Sequence, residues 1–322
     1  MPSRIEKGRA TVYSTFGLAW RDFVTSRPTI FTAIIAILLL QAARAGTLIP
    51  IPLYPNSYKT TVIGINNNNV FTGGYYIAGK AESAFLGTID GDYTPFDYPG
   101  QHEDVEGRGI NRSNEIVAYV SSGGEPLAFE RFSDGSEKLI KVSKEPFDYS
   151  FSGGINSKGV FVVEADVNDE QYSCYGKKAR CTSDLIIFGQ YYSAPRGIND
   201  HGTVVGFAAP KAWVLDNGVS AWVTYPGALY TTLAAVNNKD IATGSWTEQD
   251  GVTSHAILYD INKGEFQELK LPGLHNTYAA GINDAGLVVI GSDEGPFLYC
   301  TKKKACPKQG IEVPDGEPVK AH

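Results

Sequence analysis

Short apolar runs separated by tight-turn residues recur along most of this chain. First runs such as Val160-Phe161-Val162-Val163, Thr203-Val204-Val205-Gly206 and Leu287-Val288-Val289-Ile290 are rich in β-branched residues. A variable loop leads to a second run, as in Ala84-Phe85-Leu86, Leu127-Ala128-Phe129, Ala212-Trp213-Val214 and Ala256-Ile257-Leu258-Tyr259. Asp90-Gly91, Asp134-Gly135, Asn217-Gly218 and Lys263-Gly264 then mark a turn into a third run, such as Phe266-Gln267-Glu268-Leu269. Runs this short, bounded by Asp-Gly or Asn-Gly, predict antiparallel strands joined by hairpins rather than helices. A fourth short run leads into the next unit.

The units are counted by one phrase. Asn66, Asn111, Asn156, Asn199, Asn237 and Asn283 lie 45, 45, 43, 38 and 46 residues apart, and five of them close a Gly-Ile-Asn. The other reads Ala235-Val236-Asn237. Three residues on stand Asn69, Asn114, Gly159, Gly202, Asp240 and Gly286, the residue types that tolerate a left-handed backbone. This predicts a hairpin closed by a type I turn and a bulge. Four strands per unit and six units predict a six-bladed β-propeller of four-stranded antiparallel blades. Solenoid coils are shorter, and paired sandwiches do not repeat turn chemistry at a fixed period.

The segment Leu48-Ile49-Pro50-Ile51-Pro52-Leu53-Tyr54 resembles a third run and is expected to close the last, thin blade, its prolines suiting an edge. The propeller is thus expected over residues 46–313 and a disordered tail over 314–322.

The alternation of Gly-Ile-Asn-x-x-Gly-x-Val-Val-Gly with an Ala-Phe-Leu-Tyr-like run resembles the HAF repeat of bacterial exported proteins. It is closest at residues 197–206, 281–291 and Ser254-His255-Ala256-Ile257-Leu258-Tyr259. The fifth phrase departs, with Asn237-Asn238-Lys239-Asp240, and the third unit carries an insertion between Cys174 and Cys181. The resemblance implies an exported, β-propeller-like protein and brings no catalytic residues with it.

Residues 1–45 differ from the rest. Basic residues from Arg4 to Arg27 precede an apolar stretch over 30–40, and Ala43-Arg44-Ala45 offers small residues where a signal peptidase reads. A signal peptide cleaved near Ala45, or an N-terminal anchor, is expected. The chain has 28 Lys and Arg against 35 Asp and Glu, and its remainder after residue 45 carries a net charge of −11. That balance argues against nucleic acid or an anionic membrane surface as partner. Cys174 with Cys181 and Cys300 with Cys306 are close pairs without zinc spacing, so two local disulfides are expected in an exported chain.

Strand alternation sends the Asn-started turns and the Asp-Gly turns to one face of the ring and the longer connections to the other. Function concentrates on long loops held by a rigid scaffold. The candidate ligand-binding residues there are Tyr75, Tyr76, His102, Glu103, Asp104, Asp148, Tyr149, Tyr191, Tyr230, Trp246, His275 and Tyr278. Aromatic faces beside carboxylates suit a glycan, a peptide or a cell-surface protein. No metal, cofactor or nucleophile motif is found, and a monomer is expected. A polysaccharide hydrolase or lyase, using a central carboxylate pair, and a purely structural surface protein are the alternatives.

Overall fold

At each of the six asparagines the chain reverses, and the residue three positions on has positive φ: 62° at Asn69, 61° at Asn114, 73° at Gly159, 92° at Gly202, 56° at Asp240 and 84° at Gly286. These turns fix the register of the innermost hairpin of every unit. A computed structural model describes residues 45–321 except 101–103, 123–124, 143–148, 168–169, 189–193 and 309. The leader expected over residues 1–45 lies, but for Ala45, outside them.

The described residues build a six-bladed β-propeller. Before the first blade comes β1 (Ala45–Pro50). Blade one is β2 (Lys59–Ile65), β3 (Phe71–Tyr76), β4 (Ser83–Gly87) and β5 (Tyr93–Phe96). Blade two is β6 (Asp104–Ile110), β7 (Ile116–Ser122), β8 (Glu125–Arg131) and β9 (Glu137–Leu139). Blade three is β10 (Tyr149–Ile155), β11 (Phe161–Val167), β12 (Glu170–Gly176) and β13 (Cys181–Asp184). Blade four is β14 (Ala194–Ile198), β15 (Val204–Ala208), β16 (Lys211–Asp216) and β17 (Val219–Val223). Blade five is β18 (Tyr230–Val236), β19 (Ile241–Thr247), β20 (Ser254–Asp260) and β21 (Glu265–Leu269). Blade six begins with β22 (Tyr278–Ile282), β23 (Leu287–Gly291) and β24 (Phe297–Cys300), and β25 (Ile311–Lys320) ends the chain's strands.

The N-terminal strand β1 pairs antiparallel with β24, Leu48 opposite Tyr299. It is not an edge: its other side takes β25, which runs on to pair with β21 of blade five. Blades five and six are thereby joined in one nine-stranded sheet. This corrects the disordered tail expected beyond Pro314. Pro314 and Pro318 are tolerated because each half of β25 bonds on one side only, 311–314 to β1 and 315–320 to β21.

Each blade contributes large rings to the core between blades. Phe85, Phe129, Phe161, Trp213, Phe266 and Tyr299 are all essentially buried. Burying one such side chain stabilises the fold by about 1.5–3 kcal/mol. Cys174–Cys181 and Cys300–Cys306 are disulfides with Cα–Cα distances of 5.8 and 5.6 Å. Among the described residues no helix is long and apolar enough to cross a membrane.

One irregularity recurs six times and matters for the site. Between the innermost strand and its partner the register slips just before each phrase, at Val62/Gly64, Gly107/Gly109, Ser152/Ile155, Pro195/Gly197, Leu233/Ala235 and Ala279/Gly281. A bulge of this kind re-aims the extra side chain. Here the innermost strand faces the ring axis. Ile63, Arg108, Gly153 with Gly154, Arg196, Ala234 and Ala280 are the residues skipped by the ladder, and all of them line the axis.

Candidate functional site

The axis is built in tiers set by distance from the asparagine. At the asparagine itself the six side chains are buried. Each Oδ1 accepts the N–H groups two and four residues on, as Asn199 does from His201 and Thr203 at 3.0 Å. Five of the six Nδ2 groups then donate across to the next blade's asparagine carbonyl: Asn66 to Asn111, Asn156 to Asn199, Asn199 to Asn237, Asn237 to Asn283 and Asn283 to Asn66. Asn111 instead donates to Glu115 in its own turn. Where the neighbour's left-handed residue is Asn or Asp rather than Gly, it accepts a second bond: Asn114 from Asn66, Asp240 from Asn199 and Asn69 from Asn283. The residue after four of the asparagines adds an outer tier, with Ser157 N–H on Asp200, Asp200 on Asn238, Asn238 on Asp284 and Asp284 on Asn67. Asp200 and Asp284 therefore serve as inter-blade acceptors. Among the described residues no group of three or more His, Cys, Asp or Glu is arranged to hold a metal.

One position earlier, Ile65, Ile110, Ile155, Ile198, Val236 and Ile282 form an apolar collar, each 6–7 % exposed. On the asparagine side of this collar the axial dimple holds only about 70 Å³. Towards the long-loop side it opens into a recess of about 370 Å³. A volume of that order suits a small ligand or the end of a larger one.

In the recess the six-fold repetition stops. Arg108 and Arg196 occupy bulge positions that are Ile63, Ala234 and Ala280 elsewhere, and Glu106 and Tyr278 also reach it. The Arg108 and Arg196 guanidiniums both lie over the Phe151 ring, at 4.6 and 5.0 Å, and Arg196 also lies over Phe207 at 5.2 Å. Arg108 pairs with Glu106 at 2.9 Å, and Thr61 Oγ1 donates to the same carboxylate at 3.3 Å. Arg196 Nη2 stands 3.5 Å from Glu164. Its Nη1 is buried and without a hydrogen-bond partner. Burial, and then the repulsion of Arg108, lower the Arg196 pKa, while Glu164 opposes the shift. Burial raises the Glu164 carboxyl pKa, against the pull of Arg196. Tyr278, 38 % exposed into this space, has its phenol raised first by burial and then by the Glu106 charge.

Behind the recess, between blades one and two, lies a second carboxyl. Glu82 is 3 % exposed, and its Oε1 has no hydrogen-bond partner. Burial, and then the Glu106 charge, push its pKa up to about 8. Tyr76 donates a hydrogen bond to it, and its own N–H donates to Asp104 at 2.8 Å.

Of the twelve residues expected from sequence, Tyr278 lines the recess. Asp104 and Tyr76 surround Glu82. Tyr149 feels the charges of Glu164, Asp166 and Arg196, beneath a dominant rise from burial. The others are dispersed. Tyr75 stacks on Tyr54 at 3.6 Å, a packing role. Trp246 is stacked between Tyr225, in the connection from blade four, at 4.8 Å and His255 of blade five at 4.5 Å. Tyr230 is exposed, and His275 is paired with Glu294 beside a separate groove of about 730 Å³. His102, Glu103, Asp148 and Tyr191 lie outside the described residues. Arg108, Arg196, Phe151 and Glu82 were missed. The signal for the two arginines was in the sequence: charge at a repeat position otherwise filled by Ile, Gly or Ala.

The sequence matches no protein-family model, and no curated protein is similar to it. Among solved structures the chain is similar to a streptogramin B lyase, with a TM-score of 0.44 and 9 % identity over 79 % of this chain and 97 % of that one. It is also similar to TolB from Acinetobacter baumannii, with a TM-score of 0.42 and 12 % identity over 88 % and 69 % of the two chains. A third is the Aleuria aurantia lectin in complex with Fucalpha1-6GlcNAc, with a TM-score of 0.38 and 9 % identity over 84 % and 98 %.

Proposed function

We propose that this chain is an exported, non-enzymatic binding propeller that takes the end of a glycan or peptide into its axial recess from the long-loop face. One observation carries this reading. The apolar collar and the asparagine tier repeat almost without variation, whereas the recess above them collects Arg108, Arg196, Glu106, Phe207 and Tyr278. A scaffold needs only small or aliphatic residues at these places, as blades five and six illustrate with Ala234 and Ala280. A hydrolase would need two carboxyls open to the substrate. Glu106 lines the recess but is engaged by Thr61 and Arg108, and Glu82 is buried outside the lining.

The test is a glycan and peptide array probed with the full chain, followed by two variants. Tyr278→Ala is expected to weaken any ligand about tenfold, the order of a lost aromatic contact with its area. Trp246→Ala, inside its stack, is expected to leave affinity nearly unchanged. Equal binding by wild type and Tyr278→Ala ends the assignment of the recess.

Export belongs to the same proposal, as does kinship with the HAF-type repeats that the sequence resembles. Two disulfides fit an oxidising compartment. Mass spectrometry of the protein recovered from expressing cells is expected to find a mature chain starting at Gly46. An intact Met1 terminus on soluble protein in the cytoplasm would refute export.

A further inference from the structure

Arginine has donors only, so whatever satisfies the free Arg196 Nη1 must be an acceptor. Leaving such a buried group unpaired is costly. The guanidinium packs against Phe151 and Phe207 at 5.0 and 5.2 Å and Nη2 is turned to Glu164, so Nη1, buried in the wall of the recess, is the end left without a partner. Arg108 shares the Phe151 ring and stands close enough to disfavour the Arg196 charge. Two guanidiniums on one recess wall favour an acceptor that carries negative charge. The recess lining itself carries two guanidiniums against one carboxylate, Glu106, while Glu164 pairs with Arg196 from outside it, a balance that disfavours a dianion such as phosphate and suits a single negative charge. The remaining polar lining is hydroxyl and carboxylate, from Thr61, Thr232 and Glu106, and the phenol of Tyr278 offers an aromatic face. Those groups match the hydroxyls and the apolar ring face of a sugar.

We propose that the axial recess binds an acidic sugar of the uronate class, its carboxylate held by Arg196 and Arg108 and its ring against Tyr278. This rests on the binding reading above and narrows it. The lone charge is read by the guanidiniums, and the bulges that skip Arg108 and Arg196 are what aim them at the axis.

Calorimetric titration of the full chain with galacturonate, its methyl ester and neutral galactose tests the assignment. Galacturonate is expected to bind at least tenfold more tightly than either uncharged analogue. Arg196→Lys keeps the charge but loses the planar fork, and is expected to cost a further tenfold or more. Should that variant fail to fold, the acid-to-ester comparison on the wild type still decides. Equal affinity for acid and ester overturns the inference. So does preferential binding of a peptide C-terminus. A neutral glycan bound in a Tyr278-dependent manner would end the uronate assignment and leave the binding reading standing. An array without any ligand would end both.

Discussion

Asn283→Ala is expected to destabilise the propeller by about 3–5 kcal/mol, several times the effect of an ordinary surface substitution. The side chain is 3 % exposed and serves four partners. Its Oδ1 accepts the N–H groups of Ala285 and Leu287. Removing that acceptor leaves two backbone donors unsatisfied, each costing about 1–3 kcal/mol where buried. Its Nδ2 donates to the Asn66 carbonyl and to Asn69 Oδ1, which links blade six to blade one. Asn283→Asp separates the two roles. It keeps the acceptor for the turn but sets a carboxylate against two acceptors across the seam. The aspartate variant is therefore expected to approach wild-type stability in acid, where it is protonated, and to lose it as pH rises. Chemical denaturation of the three proteins at pH 4 and pH 7.5 checks this. Loss in Asn283→Ala no larger than about 1 kcal/mol would refute the inter-blade role.

Much of this architecture was legible because turn chemistry is local. Gly, Asn and Asp three residues after each asparagine are demanded by a positive φ within the same four residues, and all six turns obey. What crosses between blades was not legible. Nothing near Asn156 in sequence tells that its amide reaches the carbonyl of Asn199, 43 residues away. The alternation of Gly with Asn or Asp at the left-handed position looked like simple interchange, yet Asn114, Asp240 and Asn69 also accept a bond from the preceding blade. β25 was hidden for a different reason. Pro314, Pro318 and the Asp315-Gly316 pair read as breakers, and only a strand bonded on one side at a time accommodates them. The axial recess was not legible from the lengths of the loops. The recess is lined by the innermost strands, at bulges that periodicity cannot locate without the ladder. Tyr278 reaches the recess because it starts such a strand.

Glu82→Gln is expected to flatten the pH dependence of stability and to make the protein more stable than wild type above neutrality. In the unfolded chain the carboxyl titrates near its ordinary value of 4.5, whereas in the folded protein burial, and then Glu106, raise it to about 8. Below 4.5 both states hold the proton and the group makes no difference between them. Between those values the unfolded state has released the proton and the native state retains it, so stability falls by up to about 1.4 kcal/mol per pH unit. Above about 8 the native carboxyl ionises as well, the slope from this group ends, and a buried charge remains beside Glu106. Stability from the protonated Glu82 is thus present in acid and lost through the window from 4.5 to 8. Glutamine has the shape of the protonated acid, can still accept from Tyr76, and carries no proton to lose. The gain at pH 8.5 is expected to be on the order of 2 kcal/mol or more, since neutralising a buried, poorly paired carboxylate removes its desolvation cost. Thermal unfolding of both proteins from pH 5 to pH 9 measures it. If the two melting profiles run parallel across that range, Glu82 does not titrate with the fold.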